Sequence, residues 1–299
     1  MDIRKHVAGW KIEHDSQIRE FRLTLRLLRK GPPLLGIIIV LCVLFLAFFA
    51  PLLATHNPSD VNFPERFLPP STSHFFGTDS AGQDVYSKVI YGARYDLFIG
   101  LVVIALAAPL GSILGIIAGY RGGKIDSIIM RITDVFFAVP AIVLALAISA
   151  AIGWRGLEIT VIAIAAVWWP FYTRITRGIT LQIREEQYIE AARSLGARMR
   201  RIILKHVLPN AVAPIIVQAT LDLGYVILTA ATLSFLGLGA QPGDPEWGRI
   251  VAEGRPYIQD YPWIITFPGM ATFLTCLGFN LLGDGLRDVL DPTLRRARG

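Results

Sequence analysis

The sequence predicts an all-α membrane protein with six transmembrane helices, and three observations predict it. The 299 residues are 53% hydrophobic and only 17% charged, with a mean hydropathy of +0.51, too apolar for an ordinary soluble domain of this length. Six apolar runs approach or exceed the roughly 17–25 residues that a bilayer-spanning helix needs. Lys and Arg are also segregated: 23 of the 29 fall in segments that share a side with the N-terminus. That asymmetry places both termini in the cytoplasm.

Taken in order, residues 1–33 form a cytoplasmic amphipathic segment. Ile18, Phe21, Leu25 and Leu28 repeat at helical spacing beside Arg19, Arg22, Arg26 and Arg29, so such a helix lies in the inner interface against membrane lipids. The first span, 34–54, follows eight basic residues and is too long for a signal-peptide core, which makes it an uncleaved anchor. Residues 55–96 read as an extracytoplasmic loop rich in Pro and turn residues. The second span is 97–120. After it, Gly122-Gly123-Lys124-Ile125 is a tight basic turn and not a phosphate loop, because Ala118 and Ile125 stand where Gly and Ser or Thr are required. The third span, 128–152, carries Arg131 and Asp134 three residues apart, an expected helical ion pair. The fourth is 157–173 and the fifth 212–236. An outer loop at 237–262 offers Trp247, with Trp263 just beyond it, as interface anchors. The sixth span, 263–282, precedes a cytoplasmic tail at 286–299.

Nothing along the chain predicts bond chemistry, a cofactor or a metal. Cys42 and Cys276 each sit inside an apolar run as small hydrophobes. The five histidines, His6, His14, His56, His74 and His206, are scattered over separate segments and make no ligand pair at helical spacing. The net charge of +6 follows the positive-inside pattern, so nucleic acid is not an expected partner. Asp222 falls about ten residues into the fifth span, near mid-bilayer, where a charge costs at least about 2.5–3.5 kcal/mol and must face protein or water. It is either a path-lining residue or an acid hydrogen-bonded to a neighbouring helix. Asn280 is the other polar candidate for a translocation path.

The most informative stretch runs from residue 185 to 210, with three acids and five cations between two apolar runs. Read as a helix, Tyr188, Ala191, Ala192 and Leu195 share one face. The two alanines let another surface approach closely. Gly196 then caps the helix in the left-handed region or bends the chain. A second short helix carries Met199, Ile202 and Ile203, and Pro209 is expected to stop it. A positive-inside loop accounts for the arginines but not for this order of small residues, glycine and proline.

These residues resemble a known family. Glu190-Ala191-Ala192, Gly196, His206 and Leu208-Pro209 are similar, in order and spacing, to the EAA signature of permease subunits of binding-protein-dependent ABC importers. The His-x-Leu-Pro-Asn form resembles the peptide and nickel branch. Phe76-Gly77-Thr78-Asp79 with Gly82-Gln83-Asp84, Tyr91-Gly92-Ala93-Arg94, Leu233 to Gly239, and Phe279 to Asp288 with Leu290-Asp291-Pro292 resemble its C-type permease. Gln83 stands where Arg is usual, and Asp96 where Ser is usual.

The resemblance implies a MetI-like, type I importer core of five helices within 97–285, preceded by the extra N-terminal span. It implies a coupling loop at 178–210, in which Glu190, Ala191, Ala192, Leu195, Gly196, Leu208 and Pro209 meet an ATPase. The implied partners are a homologous B-type permease, two cytoplasmic ATPase subunits that bind ATP and Mg, and an extracytoplasmic substrate-binding protein, all at a prokaryotic inner membrane. The implied cargo is a peptide or a related small solute. Six spans also permit a gradient-driven transporter or channel acting through Asp222, though such a carrier needs no cytoplasmic docking helix.

Overall fold

The structure, a computed structural model, describes residues 31–290; the interfacial helix expected around 18–29 and the tail from residue 291 lie outside the described residues. Eleven α-helices account for most of what is described. They are α1 (Pro32–Phe48), α2 (Ala50–Leu53), α3 (Val85–Arg121), α4 (Gly123–Phe137), α5 (Ala141–Ile152), α6 (Leu157–Arg184), α7 (Gln187–Ser194), α8 (Met199–Ile202), α9 (Leu208–Phe235), α10 (Trp247–Gly254) and α11 (Trp263–Leu290). Among the described residues the only sheet-like pairing is one antiparallel bridge between Thr78 and Asp84. Four stretches are long and apolar enough to cross a membrane: α3, α6, α8 running on into α9, and α11. The bent pair α4–α5 makes a fifth, and α1 is a shorter apolar helix.

Several elements depart from the sequence expectation for physical reasons. The first apolar run is broken at Phe49, just ahead of Pro51, whose ring and missing N–H disrupt a helix passing through it. The third is not one rod. It bends by 87° between α4 and α5, where Pro140 disfavours helical geometry at Val139. Asp126 of α4 is held by Arg177 near the C-terminal end of α6, whereas Ser149 of α5 donates to the Leu238 carbonyl beyond α9. The bent pair therefore carries the chain from one end of the bundle to the other. The expected pair of Arg131 with Asp134 does not form; Asp134 takes Arg174 of α6 at 2.7 Å. Residues 85–96, read as loop, are the first turns of α3. Asp84 starts that helix by accepting from Ser87 N at 2.8 Å, an N-cap arrangement.

The tightest helix pair is α3 against α6. Gly111, Gly115 and Gly119 stand four residues apart on α3, and a β-carbon at each would run into Trp169 and Tyr172, Thr176, or Thr180. Small residues at this spacing let helix backbones approach closely where lipid supplies no hydrophobic drive. The largest core cluster, including Ile99, Val103, Ile164, Val167, Tyr172, Val226 and Leu233, is built around that contact by α5 and α9. Each of α3, α6, α9 and α11 contains an internal proline, at Pro109, Pro170, Pro214 and Pro268.

At the end of the bundle that carries the 55–84 loop, the turn motifs form a cap. Asp79 Oδ1 accepts from Ala81 N and Gln83 N, while Asp79 Oδ2 and Gln83 Oε1 both accept from the buried Lys88 ammonium. Trp247 and Trp263 do not float as interface anchors. Trp247 is buried, its indole N–H donating to Val89 O at 2.9 Å, in space that Gly92 leaves free. Trp263 donates to Thr78 O at 3.2 Å. An indole N–H inside a fold needs such an acceptor, and the cap supplies both.

Candidate functional site

The segment between α6 and α9 stands at the opposite, arginine-rich end. α6 ends at Arg184 with Glu185 as its C-cap, and Glu186, extended at φ −73° and ψ 138°, turns the chain into α7. α7 ends as expected. Gly196 lies at φ +79°, its N–H donates to Arg193 O at 2.8 Å, and Ala197 N donates to Ala192 O at 3.0 Å. These two bonds make a Schellman cap, which needs a residue able to adopt the left-handed conformation.

Pro209 does not stop the second helix. After α8, residues Ile203–Val207 form a π turn, with Leu208 N donating to Ile203 O, and α9 begins at Leu208. Pro209 thus falls in the first turn of α9, and the wide π turn before it, whose bonds run from Leu208 N to Ile203 O, makes room for its ring. Leu208 and Pro209 are exposed at this junction.

One face of the segment is seated and the other is not. Ile189, Ile202 and Val207 are buried against Ile116 of α3 and Ile183 of α6, with Tyr120, Ile179 and Ala197 around them. Arg193 lies over the Tyr120 ring at 5.3 Å, and Arg184 donates to the Gly119 carbonyl. The predicted face points away from this seat: Tyr188 is 47% exposed, Leu195 is 88% exposed, Glu190 and Ala191 are exposed, and Ala192 is half-buried. Leu195 is the C-cap residue and lies just past α7, not within it. The seat itself, Ile189 above all, escaped the sequence reading. Its signal was an isoleucine across the helix from Ala191 and one turn before the half-buried Ala192.

Asp222 and Asn280 stand on α9 and α11, which pack closely where Gly224 meets Cys276 and Phe279 and where Gly283 meets Leu221. Asp222 is buried, with Oδ1 accepting from Gln218 Nε2 at 2.8 Å. Its other oxygen converges with Trp168 Nε1 and Tyr172 Oη of α6, none of the three making a well-aligned hydrogen bond. Asn280 is half-buried on α11. A groove of about 360 Å³ between α9, α10 and α11, lined by residues including Leu228, Thr232, Phe235, Phe273 and Cys276, contains neither. The histidines are not all scattered either: the fold stacks His56 on His74, with ring centroids 4.8 Å apart.

Residues 111–296 match the family described as binding-protein-dependent transport system inner membrane component. Residues 16–70 match the N-terminal TM domain of oligopeptide transport permease C. The chain is 47% identical over 265 residues to a probable D,D-dipeptide transport system permease protein of Escherichia coli, covering 88% of this chain and 89% of that one. It is 46% identical over 262 residues to a dipeptide transport system permease protein of Alkalihalophilus pseudofirmus, covering 88% and 86%. An oligopeptide transport system permease protein of Bacillus subtilis is 39% identical, again covering 88% and 86%. In fold, the chain is similar to the inward-facing MetNI methionine ABC transporter, with a TM-score of 0.56 at 21% identity, covering 67% of this chain and 95% of the other. Proteins of this family are non-catalytic transport subunits that work with a permease partner, ATPase subunits and a substrate-binding protein. The chain is a multi-pass membrane protein and belongs to the C-type permeases of the binding-protein-dependent ABC importers, the branch that includes the dipeptide and oligopeptide systems.

Proposed function

We propose that this chain forms one half of an import pathway for peptides or a related small solute across a prokaryotic inner membrane, with a homologous B-type permease as the other half. α7 and the Gly196 cap dock into one of two cytoplasmic ATPase subunits, which bind ATP and Mg, and an extracytoplasmic binding protein delivers the solute at the end that carries the 55–84 loop. The observation that carries this reading is the uncovered face of Tyr188, Ala191 and Leu195, held in place by a buried seat on its reverse side. An apolar face fixed in position at an arginine-rich end needs a partner to cover it.

ATP-driven closure of the ATPase pair draws the two docking helices together, and hydrolysis releases them. The solute shifts the balance of inward-open and outward-open states only by its different affinity for each. Asp222 and Asn280 remain candidates for the path, Asp222 through the polar cluster it shares with Gln218, Trp168 and Tyr172.

The test is affinity purification of the chain from gently solubilised native membranes, with co-purifying proteins identified and ATPase activity assayed. The expected result is a second permease plus ATPase subunits, with the ATPases lost in Gly196→Val. A chain that comes down alone, without ATPase, and whose uptake collapses with the proton gradient, overturns the proposal in favour of a gradient-driven carrier.

A further inference from the structure

The 55–84 cap brings together three groups that the transport reading leaves unused. His74 Nδ1 lies 2.9 Å from Asp84 Oδ1, and His56 Nδ1 lies 3.9 Å from Asp84 Oδ2. One ligand-capable atom from each of the three residues falls within 4.8 Å of the others. His74 and Asp84 are buried at 6% and 3% exposure, whereas the His56 side chain is 44% exposed. We propose that His56, His74 and Asp84 form a binding site for a divalent transition cation of the zinc class.

Three features argue for a cation over a plain hydrogen-bonded cluster. The first is the donor set: two imidazoles and a carboxylate suit zinc-class ions and not magnesium or calcium, which prefer all-oxygen shells. The second is the outer shell. When His74 ligates through Nδ1, its proton moves to Nε2, and Glu65 Oε2 stands 3.5 Å from that atom to receive it. A carboxylate behind a ligating histidine is the usual way its tautomer and ring are set. The backbone of His56 is held in place as well, its main-chain N–H donating to Ser87 Oγ at 3.0 Å.

The third feature is spare capacity at Asp84. Its carboxylate already accepts from Ser87 N and, more weakly, from Thr55 Oγ1, but two oxygens offer about four acceptor directions, so helix capping leaves room for a metal. Ligand atoms about 2.0–2.1 Å from a tetrahedral ion are roughly 3.3 Å apart. His74 and Asp84 are already that close. His56 must swing inward by about 1–2 Å on the same criterion; it is the exposed member, and the move gives up the 3.0 Å contact of its Nδ1 with Thr55 Oγ1. A bound ion joins the chain just beyond α2, the middle of the cap and the N-cap residue of α3, and leaves a coordination position open to water.

The experiment uses the full chain purified in detergent, stripped with chelator, dialysed against limiting zinc and assayed for bound metal and for thermal stability. One zinc equivalent is expected to survive excess magnesium and to raise the unfolding temperature. His56→Gln and Asp84→Asn should each weaken it at least tenfold. Asparagine caps a helix as well as aspartate does, so Asp84→Asn tests the ligand and not the cap, and His56→Gln changes an exposed side chain. Cobalt loaded in place of zinc should show visible bands that both substitutions alter. Zinc bound equally by wild type and both variants would place the metal on other histidines and overturn the proposal. No zinc retained by the wild type over magnesium would overturn it as well.

Discussion

The ammonium of Lys88, wholly shielded from solvent, lies 2.8 Å from Asp79 Oδ2. Gln83 Oε1 at 2.9 Å and Glu253 Oε2 at 3.3 Å complete its shell, so one cation joins the turn of the cap, the first turns of α3 and the end of α10. Removing one member of a buried ion pair leaves the other charge without its partner, at a cost of about 3–5 kcal/mol. Lys88→Met should therefore lower the unfolding temperature sharply and reduce membrane levels. Lys88→Met combined with Asp79→Asn should recover part of the loss. An unaltered melting curve in the single variant would show that the cap does not depend on this pair.

Two residues six positions apart should behave in opposite ways. Leu195 is 88% exposed and Ile189 is wholly buried. Leu195→Asp changes a surface position and should shift stability by no more than about 0.5 kcal/mol, while abolishing co-purification of ATPase subunits. Ile189→Asp puts a charge into the seat and should dislodge the segment altogether, visible as protease cleavage between α6 and α9. ATPase retention by the Leu195 variant would remove this face from the docking surface.

Gly115 faces Thr176 and the Thr173 carbonyl with no space for a side chain. Gly115→Val should force α3 and α6 apart, at about 1–3 kcal/mol or more, and lower the yield of folded protein. Gly178, on the facing helix α6, has nothing near its would-be β-carbon; Gly178→Ala is the control and should be silent or slightly stabilising. Equal melting temperatures for the two variants would refute the close helix contact.

Glu246 caps α10 by accepting from Gly248 N and Arg249 N, and burial pushes its carboxyl above the usual glutamate range. The folded state therefore holds that proton more tightly than the unfolded chain does. Its effect is most favourable below the unfolded value of about 4.3 and declines as pH rises through the folded one. Glu246→Gln keeps an acceptor for the cap and removes the titration. Its unfolding temperature relative to wild type should climb between pH 4 and pH 8, and a difference that stays flat with pH would contradict the assignment.

What could be read from the sequence was local. The left-handed cap at Gly196 depends on residues within a few positions of it, and the apolar runs reveal themselves by length. The errors share a cause too. Asp134 pairs with Arg174, 40 residues away, instead of Arg131, and Trp247 finds its acceptor 158 residues earlier. His56 meets His74 only because the cap folds back on itself. Pro209 misled in another way: a proline just inside a helix start and a proline ending one look alike until the preceding turn is known to be π. The glycine stripe at Gly111, Gly115 and Gly119 was legible in principle, being small residues at four-residue spacing in an apolar run.

The π turn has a mechanical consequence. Because it passes into α9 with no break, residues Met199–Phe235 act as one helical rod of 37 residues, about 55 Å at 1.5 Å per residue. Its near end is bolted to α7 through Ile189, Ile202 and Val207, and Asp222 rides along its shaft. A push on α7 is not absorbed by slack chain. It becomes torque on a lever arm, so a small displacement at one end swings the far end through a proportionate arc.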